Sequence, residues 1–362
     1  MGKIAYLIKF NFLLHGLFYI CIFTLLLGCS KERNKVPQHS TESTNIKILK
    51  IRDIRLEYSK EAAIGAITDM FINSNEYLYI SDPSDGTLKI FSNTGKYLQS
   101  IGKRSGQPLF ITGITVDKRG QIYISDLSTR SIFYYSPKGK LIDSLQVDEK
   151  SRFVIGIPRV FEDKLYIGVL ESIYSTFEFF KSTIIGIYDK NSKKLLKKFG
   201  RFDKIYEDLS PLSPEIHFDI DNVGNIYVIE CNSPHIFCYD SYGNESKTFG
   251  VKDENFKLPV SSMPKDVNLA WKWLATWSNM QFIKATGNYI FTSYFNRKEI
   301  VNDQYNEDFF LDMYTNDGRL IEHDFQLPGK LLFVKNDTLY IGTDLKSPTK
   351  VITIFKLILT NK

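Results

Sequence analysis

The strongest constraint on this chain is that it repeats itself. Two segments align without a gap: YLYISDPSDGTLKIFSNTGKYLQSIG from Tyr77 and QIYISDLSTRSIFYYSPKGKLIDSL from Gln121, 44 residues apart. In each, Tyr-Ile-Ser-Asp is followed by a turn glycine thirteen positions after the acid, Asp82 to Gly95 and Asp126 to Gly139. A third copy, NIYVIECNSPHIFCYDSYGNESKTFG from Asn225, keeps that spacing from Glu230 to Gly243. Repeats of about 40–45 residues match the length of a four-stranded propeller blade. Each copy reads as strand, polar turn, strand, glycine turn, strand, built from the Tyr, Ile, Phe and Val that suit a pleated surface.

The stretches before these copies, ITGITVDKRG and EIHFDIDNVG, supply an innermost strand each. Asp117–Gly120 and Asp221–Gly224 then become the tight turns that follow it. Three weaker copies start at Phe153, Gln281 and Leu331. In the first of them Asn191 is expected to replace the turn glycine, because Asn tolerates a left-handed backbone. Gly318 restores the glycine in the second. The sixth copy is one strand short at the C-terminus. The strand-like segment 46–57 is therefore predicted to be the outer strand of blade six, beside 350–358, which removes an open sheet edge. The expected fold class is all-β, a six-bladed β-propeller of four-stranded antiparallel blades over 46–362. No copy carries a helical period.

The pattern D-x-x-G-x-I-Y-V-x-D…I-x-x-F-x-x-x-G-K-x-L…I-G resembles the NHL repeat. Over about residues 46–360 the chain is similar to the six-bladed β-propeller lipoproteins of Gram-negative gut bacteria. The resemblance implies a fold and a location; it brings no general catalytic activity that carries over residue by residue. The N-terminus agrees with it. Lys3 and Lys9 precede an apolar run that ends Leu26-Leu27-Gly28-Cys29, the layout of a secretory signal. That ending resembles the lipobox of bacterial lipoproteins, which implies cleavage after residue 28 and diacylation (palmitate-type chains) of Cys29. The competing reading is an uncleaved anchor, since about 20 apolar residues span a bilayer. Residues 1–29 are thus read as signal peptide, and 30–45, with Val36 as the one apolar side chain, as a flexible tether about 20 Å in end-to-end distance. Ser30 after the cysteine points to the outer membrane, and the lone Glu32 to its periplasmic face rather than surface display.

Loss of Lys3 and Lys9 lowers the formal charge from +5 to +3, no electrostatic case for nucleic acid. A mean hydropathy of −0.18 excludes a polytopic membrane protein. Beyond the leader, Cys231 and Cys238 remain. A hairpin loop at 232–234 would set Cys231 opposite His235 and Cys238 opposite residue 228, too far apart for a disulfide, so two free thiols are expected.

Three features carry candidate chemistry. Asp82, Asp126 and Glu230 share one repeat position, aligned with Val169, Ser293 and Thr343 elsewhere. A carboxylate ring there is a candidate metal site, but hard cations want six or more oxygens, and the favoured reading is that each caps backbone N–H groups in its own turn. His217 lies on an inner strand, either facing the channel or satisfied in the core. Trp271, Trp273 and Trp277 fall within the inter-blade insertion 251–280, with Leu269, Trp273 and Trp277 at helical spacing. The functional reading is a lid presenting rings to a sugar or peptide, with Trp271 the best exposed; the other is a packing helix. No H-E-x-x-H, G-x-S-x-G or phosphate-binding glycine loop is present. The expected function is a lipid-anchored, non-enzymatic binding or scaffold module for carbohydrate, peptide or an envelope protein, with no cofactor. The alternative is a metal-assisted hydrolase or lyase at the central channel.

Overall fold

The computed structural model describes residues 45–360 except 103–108, 148–150, 155–156, 172–178, 209–214, 251–253, 260–271, 274 and 302–303. Among these, six antiparallel sheets follow one another along the chain. The first strand, β1 (Asn45–Arg55), belongs to the last sheet. Blade one is β2 (Met70–Ile72), β3 (Leu78–Asp82), β4 (Thr87–Phe91) and β5 (Tyr97–Ile101); blade two is β6 (Ile111–Val116), β7 (Ile122–Asp126), β8 (Ser131–Tyr135) and β9 (Leu141–Gln146). In blade three, β10 (Ser151–Val154) and β11 (Arg159–Phe161) both pair with β12 (Lys164–Glu171), which leads to β13 (Ile185–Asp189) and β14 (Leu195–Phe199). Blade four is β15 (Ile216–Ile220), β16 (Ile226–Glu230), β17 (Ile236–Tyr239) and β18 (Glu245–Phe249). Blade five is β19 (Ser278–Thr286), β20 (Tyr289–Val301), β21 (Gln304–Thr315) and β22 (Leu320–Leu327). Blade six is β23 (Lys330–Lys335), β24 (Thr338–Asp344), β25 (Val351–Thr360) and, outermost, β1.

The burial of each strand follows from its place in this stack. Second and third strands are covered on both faces by neighbouring blades, so β3, β4, β7 and β8 are buried at every position. That is why they read as continuous Ile, Tyr, Phe and Val rather than as an alternating pattern. Outer strands face solvent, and β5 and β18 carry the polar residues. Each buried Ile or Leu, such as Ile80, Leu88 or Ile124, stabilises by roughly 1.5–3 kcal/mol.

The ring closes through β1. It pairs antiparallel with β25 from Asn45↔Thr360 to Arg55↔Val351, with a bulge between Lys50 and Arg52. A recurring contact holds successive blades together. The glycine between the third and fourth strands of one blade sits against the end of the outer strand of the preceding blade. Gly243 (φ +77°) has no room for a Cβ, which would lie 2.5 Å from the Phe199 ring, and at Gly95 (φ +89°) a Cβ would lie 2.1 Å from the Arg55 carbonyl oxygen. Arg55, at the end of β1, therefore stands against blade one as Phe199 of blade three stands against blade four.

Two local expectations are corrected. In blade three the left-handed residue is Lys193 (φ 60°), not Asn191; the turn is one residue longer, closed by Lys193 N–H to Asp189 C=O, with Asp189 Oδ1 accepting the Asn191 and Ser192 N–H groups. In blade four Cys238 pairs with Tyr227 rather than with residue 228, and Ile229 with Ile236, so the loop takes in Cys231 and His235. Both cysteines are free and buried.

Candidate functional site

The two ends of the blades differ. One carries short turns, such as Asp117–Gln121, where Asp117 Oδ1 accepts the Arg119 and Gln121 N–H groups, and Asp221–Asn225, where Asp221 does the same for Val223 and Asn225. The other carries the long inter-blade segments, and there Asp82, Asp126 and Glu230 lie. Asp82 accepts the N–H groups of Gly65, Ala66 and Ser84 and pairs with Lys89 Nζ at 3.0 Å. Burial opposes its ionisation, but these N–H groups and Lys89 hold its carboxyl below the usual value. Asp126 accepts Phe110 N–H and Thr129 N–H. Both oxygens of Glu230 accept Asp203 N–H, and burial pushes this carboxyl well up. Asp82 and Asp126 thus cap their own turns, at Ser84 and Thr129, and all three acids also clamp the segment leading into their own blade, 16 to 27 residues upstream. In blade five this task falls to Asn296, not to Ser293. Asn296 stands opposite Ser278 as Glu230 stands opposite Ile216, and its Nδ2 donates to the Asn255 carbonyl. Thr343 bonds Thr353 Oγ1, and Val169 N–H bonds the Ile184 carbonyl.

Near Glu230 an Asp, a His and a Ser meet, but in the wrong order for nucleophilic catalysis. His235 Nδ1 lies 2.6 Å from Asp203 Oδ2, and Ser233 Oγ donates to that same oxygen rather than to the imidazole. A serine nucleophile needs the imidazole as its base, so this trio fastens a loop.

Trp273 and Trp277 are 7% and 3% exposed, edge-to-face with ring centroids 3.9 Å apart, in a core cluster with Phe202 and Tyr206. They pack against blades three and four and present no ring to solvent, in keeping with the packing reading of these two residues rather than the ligand-facing one. Trp271 lies outside the described residues.

The inner strands converge on a central cavity of about 170 Å3. In β15, Ile216 and Phe218 point into the core while the alternate residues, His217 and Asp219, line the cavity. Asp219, 1% exposed, accepts Arg159 Nε of blade three at 2.6 Å, Lys284 Nζ of blade five at 2.8 Å and the Ala285 N–H at 2.9 Å. Burial opposes its charge, but Lys284 and Arg159 outweigh that and hold its carboxyl low. Asp69 of blade one accepts Met70 N–H and, across to blade two, Ile114 N–H, each at 2.9 Å; burial pushes its carboxyl up. Lys330 of blade six donates to Ile67 C=O at 3.4 Å, and burial lowers its ammonium against the charges of Glu215, Glu307 and Asp69. At the short-turn end Phe71 and Phe333 meet edge-to-face at 5.7 Å, with Lys284 Nζ 5.6 Å over Phe333.

His217 is thus a channel residue. Its partners were missed by sequence reasoning, because Asp69, Arg159, Asp219, Gln281, Lys284 and Lys330 each stand in a different setting along the chain. The one available signal was the alternation in IHFDI, which puts Asp219 on the face of His217.

Six four-stranded blades around a central channel define the fold as a six-bladed β-propeller. Residues 31–166 match a protein family described as a 6-bladed beta-propeller. The chain is similar in structure to a DUF4221-family protein from Bacteroides vulgatus, with a TM-score of 0.65 and 11% identity over 87% of this chain and 99% of that one. It is also similar to a Bacteroides fragilis protein described as exported, with a TM-score of 0.54 and 12% identity over 88% and 98% of the two chains. No curated protein matches the chain.

Proposed function

We propose that the protein is a non-enzymatic binding module of the bacterial cell envelope, anchored to the outer membrane through lipid on Cys29 and facing the periplasm, and that its loop-bearing end with the channel mouth is the binding surface. The observation that carries this reading is the asymmetry of the disc. A rigid scaffold displays specificity through its longer loops, and here these gather at one end of the blades while the other end carries tight turns, with Phe71 and Phe333 in contact beneath them. The Bacteroides fragilis neighbour described as exported supports an envelope location, and among the described residues no helix is long and apolar enough to cross a membrane. The repeated acids Asp82, Asp126 and Glu230 support a non-catalytic role, because their oxygens are engaged by backbone N–H groups of the segments leading into their own blades. β1 begins at Asn45, opposite Thr360, at the end of blade six that carries the short turns.

Photo-crosslinking amino acids placed one at a time in the full chain, in cells, test this. Positions Ser84 and Lys346 lie at the loop-bearing end, and Lys118 and Tyr242 at the short-turn end. Adducts confined to the first pair are expected; adducts equally frequent at the second pair would remove the assigned surface.

A further inference from the structure

We propose that the central channel binds a small oxyanion of the carboxylate class, between Lys330, His217 and Gln281 and the Arg159–Asp219–Lys284 layer. This rests on the reading of the channel mouth as part of the binding surface.

The cavity is rich in donors and poor in free acceptors. Both oxygens of Asp69 are taken by Met70 and Ile114 N–H groups, and both oxygens of Asp219 by Arg159, Lys284 and Ala285. Three cations, Arg159, Lys284 and Lys330, line the same cavity as these two carboxylates, and the charges of Glu215 and Glu307 also act on Lys330. Three buried polar atoms have no hydrogen-bond partner: His217 Nδ1, His217 Nε2 and Gln281 Nε2. Glu215 Oε1 lies 3.4 Å from His217 Nε2, a long ion-pair contact. Leaving such groups unpaired costs about 1–3 kcal/mol each, and charge-assisted bonds to an oxyanion are the strongest available replacement.

The backbone is shaped for the same purpose. The β19–β20 ladder shifts register between Met280 and Phe282, so Gln281 is an extra residue turned into the cavity, and β23 shifts likewise at Leu332. Bulges of this kind re-aim side chains beside functional sites. Size sets the ligand. At about 30 Å3 per water, 170 Å3 holds about five or six waters, well under the roughly 300 Å3 at which pockets for larger ligands begin. A glycan or a peptide strand does not fit; a small carboxylic acid, or one carboxylate side chain of a partner, does.

The test uses 13C-labelled acetate and the detergent-solubilised full chain, read by NMR line broadening at constant ionic strength, with methylammonium as the cation control. Acetate should broaden and methylammonium should not, and Lys330→Met and Gln281→Leu, each checked for an unchanged circular-dichroism melt, should weaken acetate at least tenfold. Displacement of acetate by a Gly-Glu-Gly peptide assigns the carboxylate to a partner's side chain; resistance to the peptide assigns it to a free acid. No broadening by acetate, equal broadening by methylammonium, or full retention in both variants overturns the inference. If the loop-end crosslinks persist in that case, the binding module stands without an anion site.

Discussion

Replacing Asp219 by Asn probes what the central channel contributes to stability. Asparagine keeps the volume and an acceptor for the Ala285 N–H, but removes the charge that faces Arg159 at 2.6 Å and Lys284 at 2.8 Å. Removing one partner of a buried ion pair costs about 3–5 kcal/mol, because the other is left buried and uncompensated. The side chains of Arg159 and Lys284 are 16% and 20% exposed, so water partly replaces the lost carboxylate. A cost of about 2–4 kcal/mol is expected. In a domain of this length each kcal/mol is worth about 2 °C, so the melting temperature should fall by about 4–8 °C at pH 7, followed by far-ultraviolet circular dichroism. The pH dependence has a definite sign. A carboxyl held below its unfolded value stabilises above that value, about 3.9, and the contribution is lost as pH falls through the lower folded value. The gap between wild type and Asp219→Asn should therefore be full at pH 7 and shrink below about pH 4. Adding Lys284→Met should recover part of the loss, since one unmatched cation goes with it. A variant melting within about 1 °C of wild type at pH 7, or a gap that widens on acidification, would refute the reasoning.

Cys29→Ala should release the protein from membranes or leave an uncleaved precursor; a membrane-bound product of mature size on fractionation counts against lipidation. Deleting 46–57 should lower the stability of the whole propeller in a single cooperative melt, whereas deleting 30–44 should leave the melting temperature within about 1 °C. Gly243→Ala places a Cβ against the Phe199 ring at a positive φ, and denaturant titration should register a loss of about 2 kcal/mol or more. Burial pushes the Cys231 thiol up to about 12, so iodoacetamide at pH 8 should leave it unmodified in the native protein and label it in urea; rapid native labelling would show that the Tyr206–Cys231 region opens.

The blades were legible in the chain because a blade is a local object. The thirteen-residue spacing from Asp82 to Gly95, from Asp126 to Gly139 and from Glu230 to Gly243 lies within one sheet, where strand length and turn chemistry fix distances. The need for a sixth outer strand could likewise be argued from a strand count, and β1 lies beside β25. Where spacing drifts, local reading loses its hold. The longer turn of blade three moved the left-handed residue from Asn191 to Lys193, and the long β20–β21 hairpin moved the clamping residue from Ser293 to Asn296. The channel was out of reach for a different reason. A period of two reports which side of a strand a residue occupies, as with His217 and Asp219, but not which strands will face one another. Only closure of the ring brings Asp69, Arg159, Asp219, Gln281, Lys284 and Lys330 from five blades onto one axis, and the charge balance among them exists only there.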